Sequence, residues 1–238
     1  PGDALNAALA HGALDAVEIV NMDMQNAALA GQQAPGTPDH ADHTRIGVVA
    51  VASGHGFTAI FRSLHAGAVV PGGPGANPST HNLLAAIDGL PQQEIVLLPN
   101  DTNGLLAAQQ AAHHCGRRAE VLPTRTMAQG VAALLGLNYE ATLETAVAAM
   151  NAAIRRVRTA EITTASRDAT VDGVAAQAGQ YIGFVDGALV AAADDRAALV
   201  DLLEARMALP DAELATLYYG GTLGHAEAEH LAQHLASR

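Results

Sequence analysis

Ile46-Gly47-Val48-Val49-Ala50-Val51-Ala52-Ser53-Gly54-His55-Gly56-Phe57-Thr58-Ala59-Ile60 is the stretch that decides the fold. Its first seven residues are apolar without alternation. A strand with one wet face would alternate, whereas an unbroken short run marks a strand covered on both faces. A small polar turn follows, and residues 56–64 then read as a helix. Working outward, the same unit recurs. Residues 68–70, 94–98 and 119–122 read as strands, each followed by a helix, at 79–87, 104–114 and 127–135. Four strand–helix units in series predict a parallel sheet flanked by helices, an α/β layer domain.

Further out the pattern changes. Residues 143–156 read as a helix and 158–165 as an alternating strand. In Gly179-Gln180-Tyr181-Ile182-Gly183-Phe184-Val185-Asp186-Gly187-Ala188-Leu189-Val190 the Asp186-Gly187 pair signals a tight hairpin. Helix 196–207, strand 214–219 and helix 226–236 complete a smaller mixed α/β subdomain with an antiparallel hairpin. Upstream, 4–30 reads as one or two helices on Leu5, Leu9, Leu14, Val17 and Ile19, before the loop-like Gly31-Gln32-Gln33-Ala34-Pro35-Gly36-Thr37-Pro38. The expected organisation is connecting helices and linker from a preceding domain at 1–44, a first α/β subdomain at 45–154, and a second at 155–238 that is cut short at its carboxyl end.

Composition bounds the function. The chain has 238 residues, 50% hydrophobic but only 3% aromatic, so Leu, Val, Ile and Ala must build the core. All twelve basic residues are arginines. Without lysine there is no P-loop lysine, no Schiff base and no lysine general base. The net charge of −12 argues against nucleic acid. Taken over the whole chain, it also disfavours an acidic partner and predicts a basic one. Cys115 is the sole cysteine, which excludes an intrachain disulfide and suits a reducing cytoplasm. No apolar run approaches the roughly 20 residues of a membrane span.

Ligands of open parallel sheets gather at the carboxyl ends of the strands. There the sequence places Ser53, Gly72, Gly73, Asn77, Ser79, Thr80, Asn100, Asn103 and Thr124, a candidate binding crevice of uncharged hydrogen-bonding groups. Helix capping by Ser79 or Thr80 and by Asn100 or Asn103 competes with that reading. Gly54, Gly56 and Ala59 match a G-x-G-x-x-A dinucleotide fingerprint. However, Pro71-Gly72-Gly73 ends the second strand where a ribose-binding acid belongs, so a tight turn is the better reading. His230 and His234 have chelating i, i+4 spacing but no third ligand, and with His225 are expected on a solvated helix face. His113-His114 reads as a surface helix end with Cys115 packed inward. Arg155, Arg156 and Arg158 form the only basic cluster, expected in ion pairs. No catalytic residue and no metal ligand is assigned.

Several ordered motifs carry a resemblance. Gly54-His55-Gly56, Ile60-Phe61-Arg62-Ser63-Leu64, Val69-Val70-Pro71-Gly72-Gly73 and Asn77-Pro78-Ser79-Thr80 come first. Leu98-Pro99-Asn100-Asp101-Thr102-Asn103, Leu122-Pro123-Thr124 and Gln129-Gly130-Val131-Ala132-Ala133-Leu134 follow. Thr170-Val171-Asp172-Gly173, Gly179-Gln180-Tyr181-Ile182-Gly183 and Leu217-Tyr218-Tyr219-Gly220 lie in the second half, and Ile19-Val20-Asn21-Met22-Asp23-Met24-Gln25 precedes them all. In this order they resemble the carboxyl-terminal region of the catalytic chains of bacterial fatty acid kinases, a dihydroxyacetone-kinase-related family, with a DegV-like fold for this region.

The resemblance implies a carrier-binding domain that recognises an acyl-loaded fatty-acid-binding protein, so that a separate amino-terminal domain, holding ATP and Mg, phosphorylates the fatty acid carboxylate for phospholipid synthesis. The family's acidic nucleotide-metal motif has no counterpart here, so the chain is expected to hold no cofactor and not to turn over ATP alone. Its expected partners are the carrier and its own kinase domain, in the cytoplasm, with a homodimer left open. The crevice would receive the carrier's head-group face or a loop of the kinase. Departures from the family pattern are Pro74-Gly75-Ala76 in place of a Gln-Thr-Met type of stretch, His55 where an acid is common, and Asp101 where asparagine is usual. Two alternatives remain at this stage: the substrate-binding half of a dihydroxyacetone kinase-like or phosphatase-like enzyme, and a fatty-acid-binding domain in its own right.

Overall fold

The computed structural model describes the backbone of residues 16–21 and, in full, residues 44–73, 77–207, 214–220 and 223–236. They divide into two compact units, with the boundary between Thr159 and Ala160. The first strand, β1 (Ala16–Asn21), belongs with the later unit.

The earlier unit runs β2 (Ile46–Ala52), α1 (Gly54–Ser63), β3 (Ala68–Pro71), α2 (Thr80–Asp88), β4 (Glu94–Leu98), α3 (Leu105–His114), β5 (Arg118–Val121), α4 (Met127–Leu135) and α5 (Leu143–Arg156). Its four strands are parallel, in the order β3-β2-β4-β5. Every residue of the central strands β2 and β4 is buried, which is why their sequence shows no alternation. On one face Val48, Ala50, Val96 and Leu98 pack against Phe61 of α1, Val131 and Leu134 of α4 and Met150 of α5. On the other, Val49, Val51, Ile95 and Leu97 pack against Leu83 and Ile87 of α2 and Ala108 and Ala111 of α3. The helices after β2 and β4 thus lie on opposite faces. This makes the carboxyl ends of β2 and β4 a topological switch point, the place where ligands of open parallel sheets gather.

Charge at the amino ends of the strands is paired. Glu94, only 9% exposed, accepts from Arg45 at 2.7 Å and from Arg118 at 3.1 Å. Arg118 also pairs with Glu144 at the start of α5, and that hydrogen bond holds the Glu144 carboxyl below the usual glutamate range. The network ties β2, β4, β5 and α5 together at the amino ends of the strands.

The later unit contains β6 (Ala160–Thr164), β7 (Ala169–Val171), β8 (Val174–Ala176), β9 (Tyr181–Val185), β10 (Ala188–Ala193), α6 (Arg196–Met207), β11 (Leu214–Tyr219) and α7 (His225–Ala236). Strands β10-β9-β6 form an antiparallel sheet, and β9 turns into β10 at Asp186 and Gly187, with φ of 50° and 87°. Both positive angles are what a two-residue primed turn requires. Leu199 and Leu203 of α6 cover Val185 and Ala191 of this sheet.

The helix expected across 4–30 is corrected within the described part: Ala16–Asn21 is a strand, paired in parallel with β11 from Ala16↔Leu214 to Asn21↔Tyr219. Its β-branched Val17, Ile19 and Val20 suit a strand once a distant partner is supplied. The rest of 4–30, the loop at 31–38 and Pro74-Gly75-Ala76 lie outside the described residues. Among the described residues, no helix is long and apolar enough to cross a membrane.

Candidate functional site

At the carboxyl ends of the strands one residue joins three segments. Asn100 follows β4 at φ 54°, a left-handed conformation that asparagine tolerates better than most side chains. The last β2–β4 pair is Ala50 with Leu98, and just beyond it the Asn100 side chain takes over the bonding, its Nδ2 donating to the Val51 carbonyl at 2.8 Å. Its backbone N–H donates to Thr124 Oγ1 at 3.0 Å, reaching the loop after β5. Both residues are buried, Asn100 at 2% exposure and Thr124 at 1%. The amide lies so close to α4 that a Cβ on Gly130 would fall 2.2 Å from Asn100 Oδ1, so only glycine fits there. That oxygen is buried and accepts no hydrogen bond among the described residues.

A second close approach joins the loops after β2 and β3. Gly72 N–H donates to the Ala52 carbonyl at 2.9 Å, and Gly73, at φ 126°, lies against Ser53, where a Cβ would come within 2.6 Å of Ser53 Oγ. Ser53 precedes α1 without a side-chain capping bond. These hydrogen bonds and close contacts therefore join the carboxyl ends of all four strands.

The remaining sequence-chosen residues divide. Ser79 is the α2 cap, accepting from Asn82 N–H at 3.2 Å, and Thr80 donates to Gln110 Oε1 at 2.9 Å, cross-linking α2 and α3. The capping reading holds for Ser79. It fails for Asn100 and Asn103, because Asp101 is the residue that caps the short 3-10 turn Thr102–Gly104, accepting from Asn103 N–H at 2.7 Å. Asn77 and Asn103 are left as exposed rim residues.

Sequence reasoning missed Thr126 and Gln129. Thr126, 4% exposed, caps α4 by accepting from Gln129 N–H at 3.2 Å, and Gln129 Oε1 in return accepts from Arg125 N–H at 2.8 Å. The Thr-x-x-Gln spacing of a capping box was the available signal.

His225 and His230 are exposed, as expected of a solvated helix face, although His225 Nδ1 also meets the Tyr219 hydroxyl at 2.8 Å. His234 departs from that face: it is half-buried, and its Nε2 meets Asp201 Oδ1 at 2.6 Å, bridging α7 to α6. Arg155 and Arg156 end α5 exposed, at the helix terminus where positive charge is favoured. Among the described residues, no group of three or more His, Cys, Asp or Glu could hold a metal ion, and the chain has no lysine.

A family model for the C-terminal region of FakA-like fatty acid kinase proteins matches residues 47–238. Protein YloV of Bacillus subtilis (strain 168) is 30% identical over 240 residues, an alignment that covers this whole chain and 43% of the relative. Uncharacterized proteins of Staphylococcus aureus strains USA300 and NCTC 8325 / PS 47 are each 28% identical over 220 residues, covering 92% of this chain and 40% of the relative. The chain thus spans about two-fifths of the length of the curated relatives it matches. With the match running through both units, the chain belongs to the FakA-like fatty acid kinase family, as its carboxyl-terminal region.

Proposed function

We propose that the chain is the carrier-recognition region of a cytoplasmic fatty acid kinase. It receives an acyl-loaded fatty-acid-binding protein on the loops at the carboxyl ends of β2 to β5. Phosphoryl transfer to the fatty acid carboxylate is then the work of a nucleotide-binding domain outside these residues.

The observation that carries this reading is the family match over residues 47–238. The geometry supports it in kind. The base of the crevice is fixed by Asn100, Thr124, Gly73 and Ser53, while Asn77 and Asn103 stand exposed on its rim. A rigid floor with an exposed hydrogen-bonding rim suits a protein surface, because little ordering entropy is lost on docking. The role of this chain is to bind and orient, and no proton transfer is assigned to it.

Calorimetric titration of the chain with the acyl-loaded carrier, and separately with free octanoate and with ATP, tests the reading. Saturable binding of the carrier alone is expected. Binding of octanoate or ATP without the carrier would place the chemistry within this chain and overturn it.

A further inference from the structure

Among the described residues, strand β6 (Ala160–Thr164) is paired on one side only. It meets β9 from Ala160↔Val185 to Thr164↔Tyr181, and the antiparallel sheet ends there. The backbone bonds show which way each residue points. Ala165 N–H donates to the Gln180 carbonyl at 2.8 Å, and the Ala165 carbonyl accepts from Gly179 N–H at 2.8 Å, so Ala165 bonds toward the β9 side. Bonding direction alternates along a strand. Thr163 and Glu161 therefore also bond toward β9, while Ala160, Ile162 and Thr164 aim their N–H and C=O groups outward. Among the described residues, no strand receives those outward groups.

The usual protections of a sheet edge are proline, lysine, a bulge or a covering helix or loop. β6 holds neither proline nor lysine, and the register shift of this sheet lies on the far strand, between Leu189 and Ala191. Leu199 and Leu203 of α6 lie over Val185, Ala191 and Gly183 of the neighbouring strands. All five residues of β6 are exposed, Ile162 at 37%. Its Ile162-Thr163-Thr164 run is nonetheless β-branched throughout, which favours an extended, pairing-ready backbone.

The outward groups are symmetric about Ile162. When a second copy is laid antiparallel on this edge with a two-fold axis at Ile162, Ala160 faces Thr164 of the second copy, Ile162 faces its own equivalent, and Thr164 faces Ala160. Each such pair exchanges two hydrogen bonds, about six in all, so every outward N–H and C=O of the strand is satisfied. The side chains suit that register. Glu161, the one charge in β6, comes opposite Thr163 and not another carboxylate, and the two exposed isoleucines meet at the axis. Five residues from each copy bury less than the ~1,200 Å² of a stable interface, so the pair is weak and forms at high protein concentration.

We propose that β6 pairs antiparallel with β6 of a second copy of this chain across a two-fold axis at Ile162, continuing the β10-β9-β6 sheet through the pair. Residues 160–238 hold four arginines against twelve carboxylates, so the two copies repel through this unit and screening salt should tighten the pair. The inference stands apart from the carrier reading, which concerns loops of the earlier unit.

Sedimentation equilibrium of the chain from about 10 μM to about 1 mM, in about 0.5 M sodium chloride, tests it. The native chain should dimerise with a Kd on the order of 0.1 mM. Ile162→Pro removes the central outward N–H without touching the β9 ladder, to which Ile162 does not donate, and Ile162→Lys sets two ammonium groups face to face at the axis. Both should associate at least about tenfold more weakly than native and melt within a few degrees of it, because the side chain is exposed. A positive signal comes from Ile162→Cys in a Cys115→Ser background. The two Cα atoms of the axial pair would stand about 5.5 Å apart, within disulfide reach, so diamide should oxidise the two thiols to an intermolecular disulfide. Val171→Cys in the same background, at an equally exposed position on β7, should cross-link far more slowly. A native chain that stays monomeric at about 1 mM overturns the proposal and leaves this edge to a strand of another protein. Native association in both Ile162→Pro and Ile162→Lys overturns it by placing the contact elsewhere, as does Ile162→Cys cross-linking no faster than Val171→Cys.

Discussion

Gly130→Ala is a test of the crevice floor in which two known effects oppose each other. Alanine in place of glycine inside α4 favours the helix by about 1 kcal/mol. The added methyl, however, would stand 2.2 Å from Asn100 Oδ1 and 2.7 Å from Nδ2. The amide must swing away, breaking its 2.8 Å bond and leaving the buried Val51 carbonyl unpaired, at about 1–3 kcal/mol, with local overpacking of similar size. The substitution should destabilise by about 2 kcal/mol net, or about 4–8 °C in Tm for a chain of this size. In an Asn100→Ala background the obstacle is gone, and the same substitution should stabilise by about 1 kcal/mol. The expected coupling of about 3 kcal/mol is at the upper end for residues in contact. Urea unfolding of the four proteins, followed by circular dichroism, measures it. If Gly130→Ala has the same effect in both backgrounds to within about 0.5 kcal/mol, the floor is not built as described.

Thr126→Ala removes the α4 cap and should cost about 1 kcal/mol in the same assay, whereas Ser53→Ala, where no capping bond is made, should cost much less. Asn77→Ala and Asn103→Ala should leave Tm within about 1 °C of native, because both side chains are exposed, while weakening carrier binding measurably; unchanged affinity in both would remove them from the interface. Burial pushes the Tyr139 hydroxyl up to about 12, and it lies 3.0 Å from the Leu64 and His65 carbonyls. The folded state therefore holds this proton more tightly than the unfolded state. Its contribution to stability is complete below pH 10 and declines between about 10 and 12. Ultraviolet titration should accordingly show one tyrosine ionising late, and Tyr139→Phe should remove that phase.

What the sequence disclosed follows the range of the forces involved. Ile46–Ala52 and Glu94–Leu98 were legible because burial on both faces leaves an unbroken apolar run, and the Asp186-Gly187 turn because its angles demand those residue types. The same signal at Asp172-Gly173, with φ of 52° and 83° between β7 and β8, went unread. Ala16–Asn21 was misassigned to a helix because its partner, Leu214–Tyr219, is nearly the whole chain away and no local pattern announces it. The site was legible as a set of loops. The way Asn100 meets Val51, Thr124 and Gly130 was not, since each of those contacts spans 24 residues or more.

Amide hydrogen exchange of the chain, with and without saturating acyl-loaded fatty-acid-binding protein, tests the central claim most directly. The account predicts added protection concentrated in residues 53–56, 77–81, 99–104 and 122–127, the loops and first helical turns at the carboxyl ends of β2 to β5. Protection confined to residues 160–236, or no carrier-dependent protection at those loops, would contradict it.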